Sequence, residues 1–186
     1  MKNKLFLLMI LLLAGTLFAQ STLDFSDNTR GNQPAPQGYR KILLGMSLAE
    51  VKSALLEDNH FNYRGDPDVS FLPLRDQNLI ECEGKGFIDR AYFQFLDEKL
   101  YIIILQLNQE KLDYFTLFAD FSEKYGLPQS LDPQNARWEW DQIRLALEKP
   151  LTVKYVAIKV FNDLKDKSQA EDDLLDLSRG RFLEDF

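Results

Sequence analysis

The sequence predicts an α+β fold in which two related helix-plus-antiparallel-strand units pack together and a short acidic helix follows at the C-terminus. Three observations predict it. A capped helix and a strand hairpin occupy residues 42–107, a second helix and three strand patterns occupy residues 108–161, and residues 162–186 combine eight acids and four bases with apolar positions at helical spacing. The 186 residues include 14 Phe and a single Cys, so the core is expected to rest on buried apolar surface and not on disulfides.

Residues 1–19 read as a secretory signal peptide. Lys2 and Lys4 precede an apolar run from Leu5 to Ala14, and small or weakly polar residues follow to Ala19. That run is shorter than the roughly 20 apolar residues of a membrane helix, and no later stretch approaches this length. The mature protein is therefore expected in the periplasm or secreted, with no membrane span. Leu12-Leu13-Ala14-Gly15 resembles the start of a bacterial lipoprotein signal, but Thr16 stands where the acylated cysteine would be, so no lipid anchor is expected. Loss of Lys2 and Lys4 with the signal moves the formal net charge from −7 to −9. Phosphate backbones are held by clustered Lys and Arg, so this acidic chain is not expected to bind nucleic acid.

Residues 20–39 form a polar leader punctuated by Gly31, Pro34, Pro36 and Gly38, with no apolar periodicity. The first unit then opens on Ser47-Leu48-Ala49-Glu50, a capping box whose hydroxyl and carboxylate satisfy free N–H groups at a helix start. Met46 and Val51 take the staple positions, Leu48, Val51 and Leu55 form the core stripe, and the helix is expected to reach Glu57. Short strands are expected at Val69–Leu72 and Leu79–Cys82. Ala91–Leu96 and Leu100–Leu107 form the hairpin, turned by Asp97-Glu98-Lys99.

The second unit repeats the order. Lys111–Tyr125 reads as a helix stopped by Gly126 and Pro128. Arg137–Trp140, Gln142–Glu148 and Thr152–Phe161 read as strands, the middle one pointing Ile143, Leu145 and Leu147 inward and Arg144 and Glu148 outward. In the tail, Ala170, Leu174 and Leu177 share a helical face and Gly180 ends it.

Leu44-Gly45-Met46-Ser47-Leu48-Ala49-Glu50-Val51-Lys52, continuing to Leu55-Leu56, resembles the Gly-Met-Ser/Thr-x-x-Glu-Val opening of the SmpA/OmlA (BamE) outer-membrane-assembly proteins and of β-lactamase-inhibitor-like domains. Phe95-Leu96-Asp97-Glu98-Lys99-Leu100 resembles the strand-turn-strand that follows in those folds. The resemblance covers roughly residues 42–107, and residues 108–161 would be a diverged copy, as in tandem β-lactamase-inhibitor proteins. It implies a non-enzymatic binding scaffold. Two features depart from the pattern: Thr16 replaces the anchoring cysteine of the assembly proteins, and Leu56-Glu57-Asp58-Asn59 replaces a compact Gly-x-Pro ending.

Catalytic chemistry finds little material. His60 is the single histidine, expected to cap the first helix or face solvent, which removes a His-rich metal site and any distinctive Ser-His-Asp neighbourhood. Cys82 lies between Glu81 and Glu83, whose charge disfavours a thiolate, and reads as a buried strand cysteine. Glu81 with Glu83, and Asp66 with Asp68, read as solvated pairs. Gly84-Lys85-Gly86 lacks the longer phosphate-cradling pattern. No enzyme activity, metal or cofactor is expected.

Binding chemistry is better represented. Trp138 and Trp140 share one face of a strand, as do Phe93 and Phe95, and each pair reads either as core packing or as a recognition surface. Leu112, Tyr114, Phe115, Leu117, Phe118, Ala119 and Phe121 cover most of the second helix, which predicts burial between the units or contact with another protein. The candidate protein-binding residues are Trp138, Trp140, Tyr114 and Phe121, with Glu171, Asp172 and Asp173 in the acidic tail. The expected function is a periplasmic-type protein-interaction module with an envelope or periplasmic protein as partner, an accessory in envelope or periplasmic-appendage assembly. A carrier of a small apolar ligand and an inhibitor of a secreted enzyme are the alternatives.

Overall fold

A computed structural model describes residues 34–71, 77–169 and 179 of the chain. The signal peptide, leader residues 20–33 and acidic positions Glu171, Asp172 and Asp173 lie outside the described residues. The expected α+β architecture is present, with both units built onto a single sheet. A short ribbon of β1 (Gly38–Tyr39) and β2 (Ile42–Leu43) leads into α1 (Leu48–Glu57). The first unit continues through β3 (Phe61–Asn62), β4 (Val69–Phe71), β5 (Gln77–Gly84), β6 (Ile88–Leu96) and β7 (Lys99–Leu107). The second comprises α2 (Tyr114–Tyr125), β8 (Ser130–Leu131), β9 (Asn135–Glu139), β10 (Ile143–Glu148) and β11 (Thr152–Ala157). A helix α3 covers 158–169.

Local chemistry explains the starts and stops. Ser47 Oγ accepts from the Glu50 N–H at 3.3 Å, and Glu50 Oε2 accepts from the Ser47 N–H at 2.7 Å, so the capping box closes in both directions. Asp113 caps α2 by accepting from the N–H groups of Phe115 at 2.9 Å and Thr116 at 3.0 Å. This cap moves the start of α2 from the expected Lys111 to Tyr114. Gly126, with φ 78°, ends it. The β6–β7 turn is tighter than the sequence suggests. Asp97 (φ 48°) and Glu98 (φ 62°) alone make it, both left-handed, so Lys99 already belongs to β7.

Among the described residues the sheet order is β3-β5-β6-β7-β11-β10-β9-β8, with β4 also on β5. Each unit is a meander whose last strand lies at the centre. There β7 and β11 pair antiparallel, with Ile103 opposite Tyr155 and Leu105 opposite Val153. The hydrogen-bonded seam joins the units by backbone, and both helices pack on one face of the common sheet.

The main core lies between that face and the helices. Val51 and Leu55 from α1 meet Ile80, Phe93, Phe95, Ile103 and Leu105, while Tyr114, Leu117, Phe118 and Phe121 of α2 cover Trp138, Leu145 and Leu147. The ribbon residues Tyr39, Ile42, Leu44 and Met46 join the same cluster. Gly38 and Tyr39 therefore belong to the folded body, whereas the leader is expected to run to about Tyr39.

The strand expected to run to Phe161 stops at Ala157. Beyond it α3 begins, and the Ile158 N–H donates back to the Gln142 carbonyl at 2.9 Å. The β-branched Val156, Ile158 and Val160 suit a strand, but Val160, Phe161 and Leu164 at helical spacing find a second apolar cluster on the far face of the seam. They pack there on Tyr101, Ile102 and Val156.

Candidate functional site

The two tryptophans separate. Trp138 on β9 is fully buried, its Nε1–H donates to the Gly126 carbonyl at 2.7 Å, and its ring meets Phe118 and Phe121 at centroid distances of 6.0 and 5.8 Å. It is a core residue, and its assignment to a recognition face is corrected. Trp140, just past β9, is half-buried; it stacks edge-on against Tyr125 at 5.6 Å and borders an open cleft of about 470 Å³ with Ala35, Gln37, Asp141 and Gln142. Phe93 and Phe95 have no exposed surface and complete the core.

Helix α2 is not surrounded. Tyr114, Leu117, Phe118, Phe121 and Tyr125 face the sheet, whereas Phe115, Thr116, Ala119, Asp120, Glu123 and Lys124 face solvent. Of the two expectations for this helix, burial between the units fails, because Phe115 and Ala119 are the apolar members of an otherwise polar outer face. Tyr114 and Phe121, proposed as contacts, are half-buried in packing with the core.

Phe115, named among the apolar residues of this helix but not among the candidate contacts, is 74% exposed on the first turn of α2. It has companions. Leu56 on the last turn of α1, Phe87 in the β5–β6 turn and Leu131 in β8 are also exposed, and all four border the end of the sheet where β5, β7 and β10 finish. The loops there are tied together. The Asn108 N–H donates to the Phe87 carbonyl at 2.9 Å, Lys111 Nζ to the Gly86 carbonyl at 2.7 Å and the Lys85 N–H to the His60 carbonyl at 2.8 Å. Lys149 Nζ stands 5.3 Å from the Tyr114 ring centroid, a cation over an aromatic face beside Phe115.

A second cleft, of about 320 Å³, opens at the β5 edge where β3 and β4 leave Glu81 and Cys82 opposite a loop. Its charges are matched internally. Asp68, buried, accepts from the Arg64 N–H and guanidinium, Arg90 binds Glu81, and Asn62 donates to Glu83. Asp66 is exposed and pairs with Lys52 at 3.1 Å. Burial, reinforced by Asp68 and Glu81, pushes the Cys82 thiol up to about 12, which withholds the thiolate that nucleophilic work needs.

His60 follows α1, as expected. Its Nδ1 lies 3.0 Å from the Tyr39 hydroxyl and its backbone N–H donates to Asp58, whose buried carboxylate also receives Arg40 Nε at 2.9 Å. The ring and its partners tie the β1–β2 ribbon to the end of α1. Among the described residues no group of three or more His, Cys, Asp or Glu side chains could hold a metal ion.

No helix among the described residues is long and apolar enough to cross a membrane. No curated protein and no solved structure matches the chain. A family model does match, and its limits, residues 37–167, follow the folded body from the ribbon into α3: the chain belongs to the TP0088 domain family.

Proposed function

We propose that this protein is a non-enzymatic protein-interaction module of the periplasm, an accessory in envelope or periplasmic-appendage assembly whose partner is an envelope protein. The observation that carries the reading is the apolar end of the sheet. Leu56, Phe87, Phe115 and Leu131 project from four different elements whose loops are braced by hydrogen bonds, a pattern suited to a rigid partner surface. The signal peptide supports export, and the likeness of the α1 opening and the β6–β7 hairpin to BamE-like proteins supports an envelope setting. The carrier reading is less favoured, because the aromatic sheet face is filled by the protein's own Phe93, Phe95 and Trp138. Inhibition of a secreted enzyme would use the same exposed end.

Fractionation and affinity capture test this reading. The mature chain is expected in the fraction released by disrupting the outer envelope without detergent, and a double variant Phe87→Ser/Phe115→Ser is expected to lose at least 10-fold in partner retention with an unchanged thermal midpoint. Retention equal to wild type would overturn the assignment of this end.

A further inference from the structure

The cleft beside the β9–β10 turn lies at the other end of the sheet from Phe87 and Phe115, and its lining is of a different kind. Ala35 and Gln37 line it together with Trp140, Asp141, Gln142 and Ile143. Both segments are fixed by backbone bonds. The Trp140 N–H donates to the Ile143 carbonyl, the Ile158 N–H to the Gln142 carbonyl and the Leu44 N–H to the Gln37 carbonyl, each at 2.9 Å. The cleft is thus set before any ligand arrives, which lowers the ordering cost of binding.

Its free groups define what it can hold. Among the described residues the Trp140 indole N–H, the Gln142 side-chain amide and the Asp141 carboxylate make no hydrogen bond or ion pair. Gln37 uses only its Nε2, on the Ala35 carbonyl at 3.3 Å. Donors and acceptors therefore stand together. No Lys or Arg lines the cleft, which disfavours an anion. A cation would satisfy Asp141 but offer no acceptor to the indole and amide donors, and the other carboxylate, Glu139, is already paired with Arg144. A neutral polyol, whose hydroxyls each donate and accept, answers all of these groups. Trp140 adds selection for a ring. Its half-buried indole is braced edge-on by Tyr125 at 5.6 Å, and the polarised C–H groups on one face of a pyranose suit the negative face of an aromatic ring.

We propose that the Trp140 cleft is a saccharide-binding site, which takes a neutral oligosaccharide with a pyranose ring on the Trp140 indole and hydroxyls on Gln37, Asp141 and Gln142. The assignment does not rest on the partner-binding reading above, which uses the opposite end of the sheet.

Titration calorimetry on the mature full-length protein, with chitotriose and maltotriose as probes and spermidine as the cationic control, tests it. At least one trisaccharide is expected to bind saturably with a dissociation constant on the order of 1 mM or tighter. Gln142→Ala, which removes an exposed side chain with no bond inside the protein, is expected to weaken that binding by about 5-fold with an unchanged thermal midpoint. Trp140→Ala is expected to weaken it by about 10-fold or more, and Trp140→Phe, which keeps a ring and loses the N–H, by less. Failure of both trisaccharides to bind at about 20 mM, where such a site would be filled, would overturn the proposal. So would binding that survives both Gln142→Ala and Trp140→Ala, and saturation by spermidine without either sugar would assign the cleft to a cation instead.

Discussion

The Trp138 indole N–H and the Gly126 carbonyl, 2.7 Å apart, fasten the end of α2 to the strand beneath it. The bond satisfies a carbonyl that a helix C-terminus otherwise leaves to solvent, and it does so from a side chain with no exposed surface. Trp138→Ala is expected to destabilise the protein by about 3–5 kcal/mol, the usual cost of emptying a large aromatic site. Trp138→Phe keeps most of the volume and loses the bond, so it is expected to cost about 1–2 kcal/mol. Urea denaturation of the two variants distinguishes packing from hydrogen bonding.

The start of α1 offers a second test. Ser47→Ala removes the acceptor for the Glu50 N–H and is expected to cost about 0.5–2 kcal/mol. An unchanged denaturation midpoint would mean that α1 does not depend on its capping box.

Acid sensitivity follows from three exposed carboxylates. The Glu50 and Asp113 carboxyls are held below their ordinary 4.5 and 3.8 by bonds from capping N–H and hydroxyl groups, and Asp132 by bonds from the Gln134 and Asn135 N–H groups. Their depressed folded values contribute stability above the ordinary values, lost as pH falls through the folded ones. The midpoint is therefore expected to drop below about pH 4, and less so in a Glu50→Gln/Asp113→Asn/Asp132→Asn variant that starts lower at neutral pH.

At the alkaline end the sign reverses. The Cys82 thiol, pushed up to about 12 by burial, and the Tyr155 hydroxyl, raised above 10.0 chiefly by burial, favour the folded state while neutral. That preference is complete below the ordinary thiol value of 9.0 and is lost as pH rises toward 12. Native protein at pH 8 is expected to resist iodoacetamide at Cys82 and to react promptly once unfolded in urea. Prompt labelling of the folded protein would place the thiol at the surface.

Much of this fold is legible in the sequence because its signals are local. Ser47 and Glu50 mark a helix start by chemistry alone, Gly126 a helix end, and the alternation of Ile143, Leu145 and Leu147 a half-buried strand. What the sequence hides depends on distant partners. Val156–Phe161 reads as strand until one sees that Val160, Phe161 and Leu164 have Ile102 and Tyr101 to cover. Trp138 and Trp140 share one alternation, yet only tertiary packing decides that α2 seals the first and leaves the second at a rim. Phe115 looks like its neighbours Tyr114 and Phe118 in a helix rich in aromatics, and only its rotation away from the sheet makes it a surface residue.

The seam between β7 and β11 has a further consequence for how such a chain arises. Each unit ends on its central strand, so either half alone would present a long aliphatic edge, Ile102–Leu105 or Val153–Val156, with no neighbour. Because the two strands run antiparallel about a local two-fold, a lone half could close that edge against a second copy of itself. Pairing the two strands within one chain removes that edge, so neither half is left with an unpaired aliphatic strand.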